Sequence, residues 1–335
     1  MRALVITGAH RAEVQDVLAP QPAPGEVVVD VQRAGICGTD IEFYTGEMQY
    51  LGAGLAEYPI RIGHEWMGTV AAVGANVDPS WVGQRVTGDT MLGCGECRRC
   101  GRGLQHVCEF RFELGIRGGK PGALAEQVAA PVTSLHRLPD SVDDAMGAMV
   151  EPGGNAFRSV QAANLSPGDR CLILGPGTIG LLCATFARAA GAEVHLVGRS
   201  ERSLAFARSL GFDGVWNEHD LPDLAWDAVI EASNAQHLPA KALELVEPGR
   251  RVVYVGLAGS PSLIDTRDLA LNDVTAIGVL SASPGLVGTI DAYASGSVDP
   301  RPLIAATVGL EELPAILAGD RPQGAGPGPK FHISI

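Results

Sequence analysis

The chain has little positive charge. Its 335 residues include 25 Lys and Arg against 38 Asp and Glu, which gives a net charge of −13 at neutral pH. A protein surface of this sign repels phosphate backbones and anionic lipid headgroups. We therefore expect neither a nucleic acid nor a membrane among its partners.

The chain also lacks a long, uninterrupted apolar segment. Two long uncharged runs, 171–187 and 274–290, are each broken by proline and glycine and are shorter than a comfortable membrane span. The apolar run at the N-terminus reaches Gly8 too soon for a signal peptide, so we interpret it as a first strand.

A disulfide framework is not indicated either. The seven cysteines are an odd number, and four of them fall between residues 94 and 108. Clustered thiols suit metal binding in a reducing compartment better than disulfides, so the cytoplasm is the expected location. Cys171 and Cys183 lie in apolar segments, and we expect them to pack as small hydrophobic side chains.

What is present is enough chain for two domains. Up to residue 34, short apolar strands such as 26–31 alternate with turns such as 21–25. This pattern predicts a β-rich, partly barrel-like first domain.

Cys37 and His64 are candidate metal ligands. A thiolate and an imidazole bind Zn²⁺ well, and a catalytic zinc requires three protein ligands and one open position. The alternative is a buried thiol and a core histidine. Glycines at 63, 68 and 74 favour the metal, because glycine marks positions where the backbone turns sharply or closely approaches another group.

A cluster of four cysteines forms a second candidate metal site. Their spacing, C-x2-C-x2-C-x7-C, can place four thiolates around one zinc and leave no position for water, which makes such a site structural. An iron–sulfur cluster is the chemical alternative. His106 lies within the segment, but a closed tetrahedron has no place for it. The four cysteines are Cys94, Cys97, Cys100 and Cys108.

A dinucleotide motif lies in the second half of the chain. The apolar run 170–174 is followed by a G-x-G-x-x-G turn and then by a helical pattern, which is the context this motif requires. In such turns the first glycine allows the tight turn, the second admits the pyrophosphate, and the third lets helix and strand pack. The turn consists of Gly175, Pro176, Gly177, Thr178, Ile179 and Gly180.

The residues after the next strand, 193–197, indicate which dinucleotide binds. An NAD-binding chain places an Asp or Glu there to accept a hydrogen bond from the ribose. This chain instead has Gly198, Arg199 and Ser200, with Arg202 beyond the nearby Glu201. Guanidinium and hydroxyl groups suit a 2′-phosphate, so we predict NADP(H) in preference to NAD(H).

One motif identifies a family. The stretch Gly63-His64-Glu65-x2-Gly68-x5-Gly74-x2-Val77 resembles the zinc signature of the medium-chain, zinc-dependent alcohol and polyol dehydrogenases. The resemblance extends over essentially the whole chain. It implies one catalytic and one structural zinc, a small-molecule alcohol or ketone substrate, and a homodimer or homotetramer.

The resemblance also implies the ligands of the catalytic zinc. Cys37 and His64 match two of them, and in the sorbitol and threonine dehydrogenase-like subgroup a carboxylate completes the set. Glu65 and Glu151 both match carboxylates of that subgroup, so either residue, or both in exchange, would bind the metal. A purely structural Glu151 that caps the next helix is the alternative.

Other positions either match the family or depart from it. In the family, the residue at the position of Thr39 passes the substrate proton toward solvent. Many relatives have histidine where this chain has Glu42, so Glu42 or a water molecule would complete that relay. Gly153 and Gly154 replace a common Leu-Ser pair, which we expect to alter the wall of the substrate pocket.

The fold implied is α/β: a doubly wound parallel-sheet (Rossmann) cofactor domain with a discontinuous, β-rich GroES-like catalytic domain. We expect the catalytic domain over residues 1–154, with the zinc lobe near 92–110, the NADP-binding domain over 155–282, and a return to the catalytic domain over 283–335.

The function implied is interconversion of a secondary alcohol of polyol, cyclitol or sugar type and its ketone by hydride transfer, dependent on zinc and NADP(H). One alternative is a zinc-bearing medium-chain reductase of an activated double bond. Another is a non-catalytic, cofactor-binding regulatory protein. The regulatory protein is disfavoured, because folding alone does not require that Cys37, His64, Glu65 and Glu151 all be present.

Overall fold

The N-terminal part of the protein is rich in strands. The structure is a computed structural model that describes residues 1–335. The strands of this part are β1 (Arg2–Gly8), β2 (Arg11–Asp16), β3 (Glu26–Gly35), β4 (Glu65–Val73), β5 (Arg85–Gly88), β6 (Met91–Leu92), β7 (Phe112–Glu113), β8 (Gln127–Pro131) and β9 (Leu135–Arg137). Its short helices are α1 (Gly38–Thr45), α2 (Gln49–Gly52) and α3 (Asp144–Gly147).

The middle of the chain alternates strands with helices. The strands are β10 (Arg170–Leu174), β11 (Glu193–Gly198), β12 (Gly214–Asn217), β13 (Trp226–Glu231), β14 (Val246–Tyr254) and β15 (Thr275–Gly278). The helices are α4 (Val150–Ala163), α5 (Thr178–Ala189), α6 (Glu201–Ser209), α7 (Leu238–Leu245) and α8 (Thr266–Leu271).

These six strands form one parallel sheet in the order β12-β11-β10-β13-β14-β15. Residues 171–174 and 228–230, on the central strands β10 and β13, are buried, as expected of strands covered by helices on both faces. The order reverses between β10 and β13, and ligands of doubly wound sheets bind in the crevice at that point. The fold class predicted from the sequence is confirmed.

The C-terminal segment returns to the strands of the N-terminal part. It contains α9 (Leu286–Ala294), β16 (Ile304–Gly309), α10 (Leu313–Leu317) and β17 (Lys330–Ser334). β17 pairs with β3, and seven strands form a mixed sheet along the order β16-β17-β3-β4-β5-β9, with β8 also on β3. The domain limits given above stay a prediction.

α4 lies at the junction of the two sheets. It packs against α5 and α9, and one apolar cluster joins Met67 and Met149 of the N-terminal part to Leu181 of α5 and Tyr293 of α9. The first turn of α4 is therefore held between the two halves. None of the helices combines the length and the apolar character that crossing a bilayer requires.

Candidate active site

Cys37 and His64 are brought together by strand pairing. β3 ends at Gly35 and β4 begins at Glu65, and these two residues lie opposite each other in the antiparallel register. Cys37 follows β3 as the residue before α1, and His64 directly precedes β4. The ligand atoms of Cys37, His64 and Glu65 all lie within 4.8 Å of one another.

The electrostatics of this cluster favour a cation. The His64 ring is buried, and its Nδ1 has no hydrogen-bond partner. Burial alone would lower the pKa of His64, but Cys37, Asp40 and Glu151 together raise it well above its ordinary value. Asp40 Oδ1, also without a hydrogen-bond partner, lies 3.9 Å from His64 Nδ1. A thiol, an imidazole and carboxylates in such a field are a donor set that fits Zn²⁺.

Glu65 has a buried partner that the sequence did not reveal. Lys330 Nζ, at the start of β17, donates to the two carboxylate oxygens of Glu65 at 2.8 and 2.6 Å. It also donates to the carbonyl oxygen of Ile36 at 2.8 Å. Lysine occurs at only three positions in the chain, but local spacing does not show which one folds against β3.

Glu151 is the second residue of α4 and is also buried. Its carboxylate accepts a hydrogen bond from the side-chain amide of Asn155 at 3.1 Å and from no backbone amide of the helix, so it does not cap α4. Burial, with a further contribution from Glu65, raises the pKa of Glu151 to about 7, against the opposing effect of His64. It lies outside the compact set formed by Cys37, His64 and Glu65.

Gly153 and Gly154 have a packing role. A Cβ on Gly153 would lie 2.3 Å from the Tyr293 hydroxyl, and one on Gly154 would lie 2.7 Å from the Ala282 Cβ. The Tyr293 hydroxyl donates to the Met149 carbonyl at 3.1 Å. The missing side chains therefore let α9 and the residues before it approach the first turn of α4.

The side chains proposed for proton transfer lie on α1. The Thr39 hydroxyl is 3.9 Å from the Cys37 sulfur. Glu42, one turn further along, is exposed as a residue, although partial burial and the neighbouring Glu47 raise the pKa of its carboxyl. Thr39 and Glu42 thus lie on the same short helix, Thr39 beside the Cys37 sulfur and Glu42 at the surface.

The four clustered thiols meet in a separate lobe. The sulfurs of Cys94 and Cys100 are 4.0 Å apart, and those of Cys97 and Cys108 are 3.7 Å apart. A Zn–S bond of about 2.3 Å implies a sulfur–sulfur edge of about 3.8 Å in a tetrahedron. The lobe thus fits a metal ion bound by four thiolates. His106 is not among the residues that could hold this ion.

The glycine turn forms the cradle expected for a dinucleotide. Gly175 has φ +104°, a left-handed conformation that favours glycine. A Cβ on Gly180 would lie 1.9 Å from the Gly175 carbonyl oxygen, whereas the space beside Gly177 is open. Gly177 precedes α5, so the amides of Thr178 and Ile179 lie in the first turn, where anions bind.

The end of β11 carries unpaired positive charge. Arg199 and Arg202 are exposed, and neither forms an ion pair or a side-chain hydrogen bond. Glu201, the one nearby acid, is paired with Arg208 at 2.6 Å. The Ser200 hydroxyl caps α6 by accepting a hydrogen bond from the Ser203 amide at 3.2 Å, a role that the sequence analysis did not assign to it.

Comparison with family models gives two matches. Residues 23–140 match the alcohol dehydrogenase GroES-like domain. Residues 178–293 match the zinc-binding dehydrogenase domain. The two matches cover the metal-ligand cluster with its lobe and most of the parallel sheet.

Comparison with whole proteins gives full-length relatives. The chain is 34% identical over 319 residues to the 2-dehydro-3-deoxy-L-galactonate 5-dehydrogenase of Pseudoalteromonas atlantica, covering 90% of this chain and 91% of that one. An alcohol dehydrogenase from Escherichia coli solved with NADH is 25% identical with a TM-score of 0.90, covering 100% of this chain and 99% of that one. A zinc-binding dehydrogenase from Sinorhizobium meliloti bound to NADP is 26% identical with a TM-score of 0.89 and the same coverage.

Proposed function

We propose a function from the premise that this chain belongs to the zinc-dependent medium-chain alcohol and polyol dehydrogenase family. It is a dehydrogenase that interconverts alcohols and ketones. The finer proposal is a catalytic zinc, NADP(H) as cofactor and a secondary alcohol of polyol or sugar type as substrate. The observation that carries it is the cluster of Cys37, His64 and Glu65 beside α4, whose neighbour α5 begins at the glycine turn.

The proposed metal ligands are Cys37, His64 and one of the carboxylates Glu65 and Glu151, with the four thiols of the lobe holding a second, structural ion. A zinc ion at the first site supplies the Lewis acidity that lowers the pKa of an alcohol. The chain's own task is to position the substrate carbon against the nicotinamide and to conduct the proton. In this proposal Thr39 takes that proton, and Glu42 or a water molecule releases it to solvent.

The proposed preference for NADP(H) rests on charge. Arg199 and Arg202 have no carboxylate partner, and Glu201 is occupied by Arg208. A 2′-phosphate would receive charge-assisted hydrogen bonds from these guanidinium groups. An NAD ribose would find no acid at the end of β11 to accept its hydroxyl.

The proposed substrate class follows the relatives. The curated relative from Pseudoalteromonas acts on 2-dehydro-3-deoxy-L-galactonate, a sugar acid, and its similarity covers nine-tenths of this chain. We therefore extend the proposed polyol and sugar substrates to sugar acids with a free secondary hydroxyl.

Initial rates with NADP⁺ and NAD⁺ test this function. The panel consists of polyols, cyclitols, sugars, sugar acids and L-threonine, with the corresponding ketones assayed in reverse. We expect turnover of a polyol or sugar-type substrate, a preference for NADP(H), and two zinc ions per chain. Turnover restricted to activated double bonds, or no turnover of any alcohol by the zinc-loaded protein, would contradict the proposal.

We also propose a homodimer or homotetramer in the cytoplasm. β15 is the last strand of the parallel sheet and leaves one edge unpaired, and the exposed side chains of Leu263, Leu271 and Leu280 lie in the segments around it. Unpaired edges with exposed apolar residues favour association. The proposed location follows from the clustered cysteines, which suit metal binding in a reducing compartment better than disulfides. Light scattering of the purified protein tests the assembly, and a monomer would refute it.

A further inference from the structure

A charged group of four side chains lies outside the metal-ligand cluster and has no role in the reaction proposed above. It consists of Tyr50, Arg111, Glu113 and Arg117. Glu113 is buried, and its Oε1 accepts hydrogen bonds from Arg111 Nε at 2.8 Å and from the Tyr50 hydroxyl at 3.2 Å. The side chains of Arg111 and Arg117 are also largely buried, at 14% and 17% exposed. Two guanidinium groups therefore face one carboxylate, which leaves one positive charge unmatched.

Arg117 holds the unmatched charge. Its Nη1 lies 3.9 Å from Glu113 Oε1, which is too long for a hydrogen bond, and its guanidinium group donates to no other acceptor of the protein. The guanidinium lies over the ring of Tyr50, with 5.8 Å between Cζ and the ring centroid. A guanidinium group has five N–H donors, and burying donors without acceptors is unfavourable. Arg117 therefore presents free donors to an anion, in a position that the Tyr50 ring supports.

The turn that carries these side chains is packed beside the metal-ligand cluster. The Leu114 amide donates to the Thr90 carbonyl at 3.0 Å, and the Thr90 hydroxyl donates to the His64 carbonyl at 3.4 Å. A Cβ on Gly115 would lie 2.6 Å from the Gly63 carbonyl oxygen. The backbone of the turn thus lies directly against the segment that ends in His64.

A second segment brings Tyr50 to the same place. Tyr50 belongs to α2, which follows shortly after α1, and α1 itself begins directly after Cys37. The loop after α2 is fixed to the turn, because the Gly118 amide donates to the Leu55 carbonyl at 3.0 Å. The charged group is therefore held between the two chain segments that adjoin Cys37 and His64.

The free donors indicate the chemistry of the ligand. A planar guanidinium binds a carboxylate through two parallel hydrogen bonds. One unmatched positive charge suits the single charge of a carboxylate better than the nearly double charge of a phosphate ester. A sugar acid carries its carboxylate several carbons away from a secondary hydroxyl. Its recognition therefore requires a cation that lies beside the metal-ligand cluster but apart from it.

We propose that Arg117 binds the carboxylate of a sugar-acid substrate and thereby gives the enzyme a preference for sugar acids over neutral polyols. The inference rests on the proposed function in that it requires a secondary hydroxyl to react at the neighbouring cluster. Tyr50 supports the guanidinium of Arg117, while Arg111 engages Glu113 and leaves the donors of Arg117 free. The proposed substrate class is thus narrowed to sugars that carry a carboxylate.

Matched pairs of substrates test the proposal. L-Galactonate and D-gluconate differ from galactitol and D-sorbitol by a carboxylate in place of a terminal hydroxymethyl group. We expect the wild type to have a higher kcat/KM for an acid than for its polyol. In Arg117→Met, the KM for the acid should rise by about tenfold to a hundredfold with kcat little changed, because the interaction is lost from bound substrate and transition state alike. The constants for the polyol should stay the same.

Two further variants separate recognition from a structural role. Arg117→Lys keeps the charge but cannot form the paired hydrogen bonds, so its KM for the acid should lie between those of the wild type and Arg117→Met. Arg11→Met, which removes an exposed arginine of β2 that has no ion pair, is the matched control and should alter neither constant. Equal losses for the acid and the polyol in Arg117→Met would indicate a structural role and overturn the proposal.

The outcomes separate this inference from the proposed function. A wild type that oxidises neutral polyols, or galactitol 1-phosphate, at least as well as every sugar acid of the panel refutes the carboxylate site and leaves the dehydrogenase intact. A wild type that oxidises no alcohol refutes the proposed function. Calorimetry with the same two acids then decides on the carboxylate site, which requires weaker binding by Arg117→Met. If Arg117→Met does not fold, an unchanged KM for the acid in Arg117→Lys overturns the proposal.

Discussion

At the scale of single residues, two guanidinium groups are expected to set the choice of cofactor. Arg199→Asp replaces a donor for the 2′-phosphate with an acceptor for the ribose hydroxyl. Charge-assisted hydrogen bonds contribute about 1.5–3 kcal/mol, so the ratio of kcat/KM for NADP⁺ over NAD⁺ should fall by about tenfold to a hundredfold. Arg267→Asp, at an exposed arginine on α8, makes the same charge change and should leave the ratio unaltered. An unchanged ratio in Arg199→Asp would refute the assignment of that residue.

His332 is expected to make the protein sensitive to acid. Its ring is fully buried on β17, and burial, together with Lys330 and Arg33, lowers its pKa to about 3. The unfolded chain takes up the proton near pH 6.5, while the folded chain takes it up only near pH 3. This group's contribution to stability is therefore complete above pH 6.5 and is lost as the pH falls toward 3, at up to about 1.4 kcal/mol per pH unit.

The measurement is the urea midpoint of the wild type and of His332→Leu at several pH values between neutral and mildly acidic. The leucine variant should lose less stability on acidification than the wild type. Loss of metal at low pH affects both proteins equally and cancels in the comparison. Parallel pH profiles would show that His332 does not carry the effect.

Residues with local chemistry could be predicted from the sequence, and Lys330 could not. The spacing of the four cysteines is typical of a metal site. His64 lies in a stretch whose glycine spacing is typical of a zinc signature. Lys330 is separated from Glu65 by 265 residues, and the two side chains form an ion pair only because β17 folds against β3. The apolar residues of β17 are consistent with a strand, but they do not indicate which strand it pairs with.

At the scale of elements, the contact between α4 and α9 depends on a missing side chain. A Cβ in Gly153→Ala would lie 2.3 Å from the Tyr293 hydroxyl and 2.6 Å from Thr289. Overpacking of this kind costs about 1–3 kcal/mol of unfolding free energy. Tyr293→Phe removes the nearer obstacle, so the double variant should be more stable than the sum of the single changes predicts.

A double-mutant cycle of urea unfolding measures that coupling. Gly259→Ala, at an exposed loop glycine with open space around its Cβ position, is the matched control and should cost little. If Gly153→Ala lowers the free energy of unfolding by the same amount with and without Tyr293→Phe, the Tyr293 hydroxyl is not the group that the new methyl contacts.

The sequence predicts best those elements whose determining residues lie next to one another in the chain. The strand, glycine turn and helix from β10 to α5 form a continuous stretch whose turn chemistry is fixed by Gly175 and Gly180. The reason for Gly153 and Gly154 was not visible, because it lies in residues more than a hundred positions later. The sequence analysis expected these glycines to alter the pocket wall, and the structure adds that they let α9 pack closely.

At the scale of the whole molecule, one helix joins the two halves of the proposed reaction. α4 begins at the metal-ligand cluster with Glu151 and packs along α5, which begins at the dinucleotide turn. In the proposed reaction, a rigid helix between them would hold the substrate carbon and the nicotinamide in one arrangement, and such positioning accelerates the transfer of hydride.

The central claim is a catalytic zinc at Cys37 and His64 that is distinct from the ion of the thiolate lobe. The most direct test measures zinc content, NADPH binding and turnover together in the wild type and in Cys37→Ser. We predict two zinc ions per chain in the wild type, and one zinc, intact NADPH binding and no turnover in the variant. Retained turnover in Cys37→Ser, or the same zinc content in both proteins, would contradict the account.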